Sequence, residues 1–89
     1  MRFDTGPDWV EIAGVSRRPI RELLAMEIEG FISAHKRLIE YTKDAHFVDQ
    51  TGNVCDWRED LSSLSIAQWD WWKEQVWNCA HQEKASPEA

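Results

Sequence analysis

Cys55, Cys79, His46 and His81 are of types that could together hold a zinc ion, and Cys79 with His81 are the types of a thiolate–imidazole pair. Spacing speaks against both chemistries. Cys79 and His81 stand two positions apart, which on a helix turns them about 200° away from each other. The four possible ligands match none of the paired spacings of structural zinc sites. Glu27 and His35 raise a different question, because both fall within the apolar run of a helical segment. A carboxylate there needs a partner or a raised pKa. Glu27 therefore reads as pairing with an Arg from elsewhere in the fold, lying at an edge, or pairing across an interface between chains. His35 reads as a hydrogen-bonded core histidine, and at about 12 Å along a helix from Glu27 the two cannot hold one ion. No phosphate-cradling glycine loop or nucleophile elbow is present. The expectation is a non-enzymatic protein with no catalytic residues, cofactor or metal.

The elements that must position these side chains are few. "WVEI" (residues 9–12) alternates between Gly6-Pro7 and Gly14 and reads as one short strand. A long helix over residues 16–43 follows, with Ser16 as N-cap and Pro19 in the first turn. Ile20, Leu24, Ile28, Phe31, His35 and Leu38 recur on it at helical spacing, flanked by Leu23, Ile32 and Ile39. Over residues 46–56, Phe47-Val48 and Val54-Cys55 bracket Thr51-Gly52-Asn53, the pattern of a hairpin or an ordered loop. The second helix has two start signals, a capping box of Ser65 with Gln68 and a hydrophobic staple of Leu64 with Trp69. It is expected to end near His81 or Gln82, leaving one domain over residues 1–83 and a disordered tail over 84–89. The fold class expected is mainly α: two principal amphipathic helices with a small β element, packed through Leu24, Ile28, Phe31, Leu38, Trp69, Trp72 and Val76.

Four of the six tryptophans fall on the second helix, at Trp69, Trp71, Trp72 and Trp77. Advancing about 100° per residue from Trp69 places Ile66, Trp72, Val76, Trp77 and Ala80 in one sector. Trp71 lands opposite, with Ala67, Glu74, Gln75 and Asn78. Trp71 then rests on the surface, anchors an interface, or is covered by an N-terminal segment carrying Phe3 or Trp9. The interface reading is favoured, which makes Trp71, Gln75, Asn78 and Glu27 the candidate contact residues. On it, Trp71→Ala weakens association at little cost in stability. The length of the first helix adds a second argument for association. As a straight rod it measures about 42 Å, against a diameter of about 31 Å for a domain of this size. It must either bend, with Gly30 the candidate position, or project and find a partner; a homo-oligomer is the expectation.

The net charge of −6 argues against binding along a nucleic-acid backbone, which requires a basic footprint. No stretch reads as a signal peptide or approaches membrane-spanning length. With only two cysteines and no disulfide framework, a reducing cytoplasm is the expected setting.

The order of "DWVEI", "SRRPIRELL", "DQTGN" and "LSSLSIAQWDWW" along the chain resembles the small tail assembly chaperones of long-tailed bacteriophages. The likeness spans most of the chain through diffuse patterns, with no fingerprint motif. It implies a cytoplasmic assembly factor that binds the tape measure protein and tail-tube subunits, and it carries no catalytic residues over to this sequence. Two alternatives stand beside it: a structural phage component such as a head-tail connector or tail protein, and an acidic inhibitor of a host defence enzyme.

Overall fold

A computed structural model describes residues 1–85, with side chains described through Gln82. The chain begins as a hairpin of β1 (Arg2–Thr5) and β2 (Asp8–Ile12). Gly6 takes φ +56° between the paired residues Thr5 and Asp8. A two-residue hairpin loop needs positive φ there, and the fixed φ of Pro7 suits the next position. Two helices follow, α1 (Ile20–Ile28) and α2 (Phe31–Tyr41), and α2 runs directly into β3 (Thr42–His46). A short 3₁₀ turn at Leu61–Ser63 leads to α3 (Ile66–Ala85).

The architecture is α+β, with an antiparallel sheet in the order β1-β2-β3, and this corrects the mainly α expectation. The expected strand over residues 9–12 is the centre of that sheet. Its neighbours lie in "RFDT", whose alternation spans only four residues with one apolar side chain, and "TKDAH", which has no apolar alternation and whose first two residues fall within the helix expected over 16–43. Both edge strands owe their conformation to pairing with β2 and hardly at all to local propensity.

A bulge at Lys43 serves the core. Ile12 pairs with Thr42 while Glu11 pairs with Asp44, so Lys43 is the extra residue. Thr42 and Ala45, three apart, would face opposite sides of a regular strand; the bulge resets the alternation and both are buried. Thr42 Oγ1 then donates to the Leu38 carbonyl at 2.6 Å and accepts from Trp72 Nε1 at 2.9 Å.

The expected 16–43 rod is two helices. Its backbone is extended at Glu29 and Gly30 (ψ 158° and 164°), so the bend at Gly30 is real and the length argument for a projecting rod falls away. Nor does Ser16 start a helix: Val15 inserts into the core, a turn from Val15 O to Arg18 N follows, and α1 begins after Pro19. Arg37 and Glu29 form an ion pair across the break.

The capping box of α3 is present in full. Gln68 N donates to Ser65 Oγ at 3.1 Å and Ser65 N donates to Gln68 Oε1 at 2.9 Å. The Gln68 amide does more, donating Nε2 to Asp8 Oδ2 (3.1 Å) and to the Val48 carbonyl (2.7 Å), while Val48 N donates to Asp8 Oδ1 (3.0 Å). One side chain thus ties the helix start to the sheet and to the 47–55 loop. Gln68→Glu keeps the capping acceptor but sets a second carboxylate against Asp8 and strips Val48 O of its donor. The expected cost is about 1–2 kcal/mol by urea denaturation at neutral pH; an unchanged midpoint would remove this node from the account. That loop is a one-bridge hairpin, Val48 opposite Val54. Asp49 closes it, its carboxyl held below the usual range chiefly by the Thr51 hydroxyl and then by the Asn53 amide.

α3 runs through Ala85, past its expected end, and residues 86–89 of the expected tail lie outside the described residues. It packs on both sides. Trp71 meets Phe47 edge-on (6.2 Å between ring centres), on the side of the sheet. Trp69, Lys73 and Trp77 meet Phe31 and Glu27, on the side of α1 and α2. Trp72 sits between, touching Phe47, Trp57, Trp69 and His35.

Candidate protein interface

Glu27 and His35 are both placed by the fold. Glu27 is exposed and its carboxylate accepts from Trp77 Nε1 (2.9 Å) and Lys73 Nζ (3.3 Å), so it clamps α1 to α3 within the chain. His35 is buried, its Nε2 lies 2.6 Å from the Trp57 carbonyl, and Trp57 Nε1 donates to Ala45 O. The Nε2–H tautomer makes the first of these a bond, linking α2, the 56–60 loop and β3.

The other candidate contacts lie on the sheet side of α3. Trp71 is half-buried against the core, Gln75 is buried, and half-buried Asn78 donates to Gln75 Oε1. The cleft at Trp71 is lined by Thr5, Asp8, Ala67 and Gln68. Trp71 meets Phe47 and shares its cleft with Thr5 and Asp8 of the β-hairpin. Trp71, Gln75 and Asn78 stand together, and Glu27 lies with the other packing side of the helix.

The possible metal ligands are scattered in role. His46 stacks on Trp9, Cys55 is buried beside Ser63 O, Cys79 is buried near Ile12 O, and His81 stacks on Trp77. Among the described residues no group of three or more His, Cys, Asp and Glu is arranged to hold a metal ion. Burial pushes the Cys55 thiol up, with the charge of Asp49 adding to it, which is the opposite of an activated nucleophile.

What stands out instead is apolar surface. Ile20, Leu24 and Ile28 form an i, i+4, i+8 row along α1 and are 67%, 51% and 86% exposed. Phe31 and Ile32 continue it across the break at 56% and 72%. Phe31 also walls a cleft of about 320 Å³ with Leu61, Leu64, Ile66 and Trp69, and Ile66 is again exposed. Leu24, Ile28 and Phe31 were expected in the core, and the correction has a simple origin. Leu23 and Met26 are the buried residues of α1, and Ala34, His35, Leu38 and Tyr41 those of α2. On α1 the inward side is thus turned away from the row that looks most apolar, Leu23 lying one residue, about 100°, from Leu24, whereas His35 and Leu38 of the expected row are buried on α2. Scattered exposed apolar side chains are ordinary, whereas a row of large ones leading into an apolar cleft makes this face the candidate contact surface.

The chain matches no protein-family model, no curated protein and no solved structure. No helix among the described residues is long and apolar enough to cross a membrane.

Proposed function

We propose that this protein is a non-enzymatic, protein-binding assembly factor whose working surface is the apolar row Ile20, Leu24, Ile28, Phe31, Ile32 and the cleft ending at Ile66. The observation that carries this reading is the exposure of those side chains beside a core that is already filled by other residues. The partner is an apolar or amphipathic segment of another protein, laid along α1 with one or two large side chains in the cleft, the helix-in-groove mode of recognition. The specific form suggested by the sequence resemblance is a tail assembly chaperone that keeps the tape measure protein soluble and engages tail-tube subunits in the host cytoplasm. The layout of segments supports that form, and the apolar face suits it.

The test is co-expression with a tape measure segment, comparing wild type with Leu24→Asp/Ile28→Asp. Both positions are exposed, so the expected change in folding stability is within about 0.5 kcal/mol per site. Wild type should co-purify with the segment and hold it in the soluble fraction, and the double variant should do neither. Retention of the segment by the double variant would place the working surface elsewhere. Failure of wild type to bind it would set aside the tail-chaperone form.

A further inference from the structure

The two edges of the sheet are treated differently. On the outer side of β3, Trp57 Nε1 donates to Ala45 O and Arg58 donates to Lys43 O, both at 3.1 Å, so side chains cover that edge. β1 carries no such cover among the described residues. Met1 and Ile12 exchange backbone hydrogen bonds in both directions, which fixes the alternation along the hairpin: Met1, Phe3 and Thr5 turn their N–H and C=O groups to β2. The N–H and C=O groups of Arg2 and Asp4 therefore point outward along the open edge.

We propose that this edge pairs with the same edge of a second copy, antiparallel, about a two-fold axis at Phe3, to give one six-stranded sheet. The register follows from parity and charge. A two-fold axis between residues would put the apolar face of one copy on the polar side of the other, so the axis passes through a residue. An axis at Arg2 sets Arg2 against Arg2, and an axis at Asp4 sets Asp4 against Asp4; like charges directly opposite are unfavourable. The axis at Phe3 sets Arg2 of each copy against Asp4 of the other, twice. It makes those two pairs the hydrogen-bonded ones, so all the outward backbone groups of Arg2 and Asp4 find partners. The two half-buried Phe3 side chains become the close, non-hydrogen-bonded pair on the core face. Arg2 now bonds Asp4 of its own strand at 3.3 Å, and pairing adds an opposite charge to each. This assembly is independent of the apolar face on α1 and would present two such faces together.

Sedimentation velocity from low micromolar to near-millimolar protein tests it. Wild type should show a concentration-dependent monomer–dimer equilibrium. Asp4→Arg should shift it at least tenfold toward monomer, and Arg2→Asp/Asp4→Arg should restore it, because the swapped pair is again self-complementary. Asp4→Pro removes one outward N–H and leaves the bonds to β2, an edge position where proline is tolerated; it should be monomeric with an unchanged thermal midpoint. A wild type that stays monomeric throughout, a dimer that survives Asp4→Pro, or a charge swap that fails to recover association would each overturn the proposal. So would a dimer that is lost in Leu24→Asp/Ile28→Asp and kept in Asp4→Arg.

Discussion

Trp72→Ala is expected to cost about 3–5 kcal/mol of folding stability, the range for truncating a large buried aromatic side chain. For a single domain of ordinary stability that is a large share of the total. Trp72 has no exposed surface and is the largest fully buried side chain. Its ring meets Phe47, Trp57 and Trp69 at centre distances of 5.6, 5.6 and 6.2 Å, and Trp57 and Trp69 both approach edge to face. Truncation therefore opens a cavity where helix, sheet and loop meet, and leaves Thr42 Oγ1 without its indole donor. Trp72→Phe separates the contributions, since most of the ring volume stays and the N–H is lost. Chemical denaturation of both variants should rank wild type above Trp72→Phe and Trp72→Phe above Trp72→Ala. Equal stability of Trp72→Ala and wild type would mean that the core is not centred here.

Trp71→Ala is the second large effect, and its direction reverses the sequence expectation. A helical wheel places Trp71 among Glu74, Gln75 and Asn78, and on the favoured interface reading its loss weakens association at little cost in stability. The fold puts it on Phe47 in an edge-to-face contact and beside Thr5 and Asp8 at the hairpin. The expected cost is about 2–3 kcal/mol, less than for Trp72 because the ring is only half-buried. Thermal unfolding measures it; a midpoint matching wild type would return Trp71 to the surface role.

These two residues show where the sequence was legible. The Ser65–Gln68 box, the strand at residues 9–12, the turn at 51–53 and the bend at Gly30 are local signals, written in side chains that act within a few positions of themselves. Burial of Trp69, Trp72 and Val76 also follows from periodicity. The sheet side of α3 does not, because a single apolar stripe is the mark of a helix buried on one side, and α3 is packed on both. β1 and β3 are hard to read as well: "RFDT" is too short and "TKDAH" too polar to signal a strand, and both pair with β2, where Val10 and Ile12 need neighbours on both sides. The row on α1 misled for the complementary reason. Ile20, Leu24 and Ile28 are the most apolar row of that helix, and apolar periodicity alone cannot distinguish a core face from a face kept for a partner. Glu27 and His35 were closer to hand, since a charged or polar group in an apolar run demands a partner. Glu27 finds Lys73 and Trp77 on α3, while His35 finds the carbonyl of Trp57.

The most direct measurement is amide hydrogen exchange, site by site, with and without a bound apolar client segment such as a piece of tape measure protein. If the face formed by α1, the start of α2 and the 61–66 cleft is the working surface, added protection should concentrate in residues 20–32 and 61–66 and leave the 47–55 hairpin unchanged. Protection confined to the hairpin or to the β1–β2 strands, with residues 20–32 exchanging as in the free protein, would contradict the assignment.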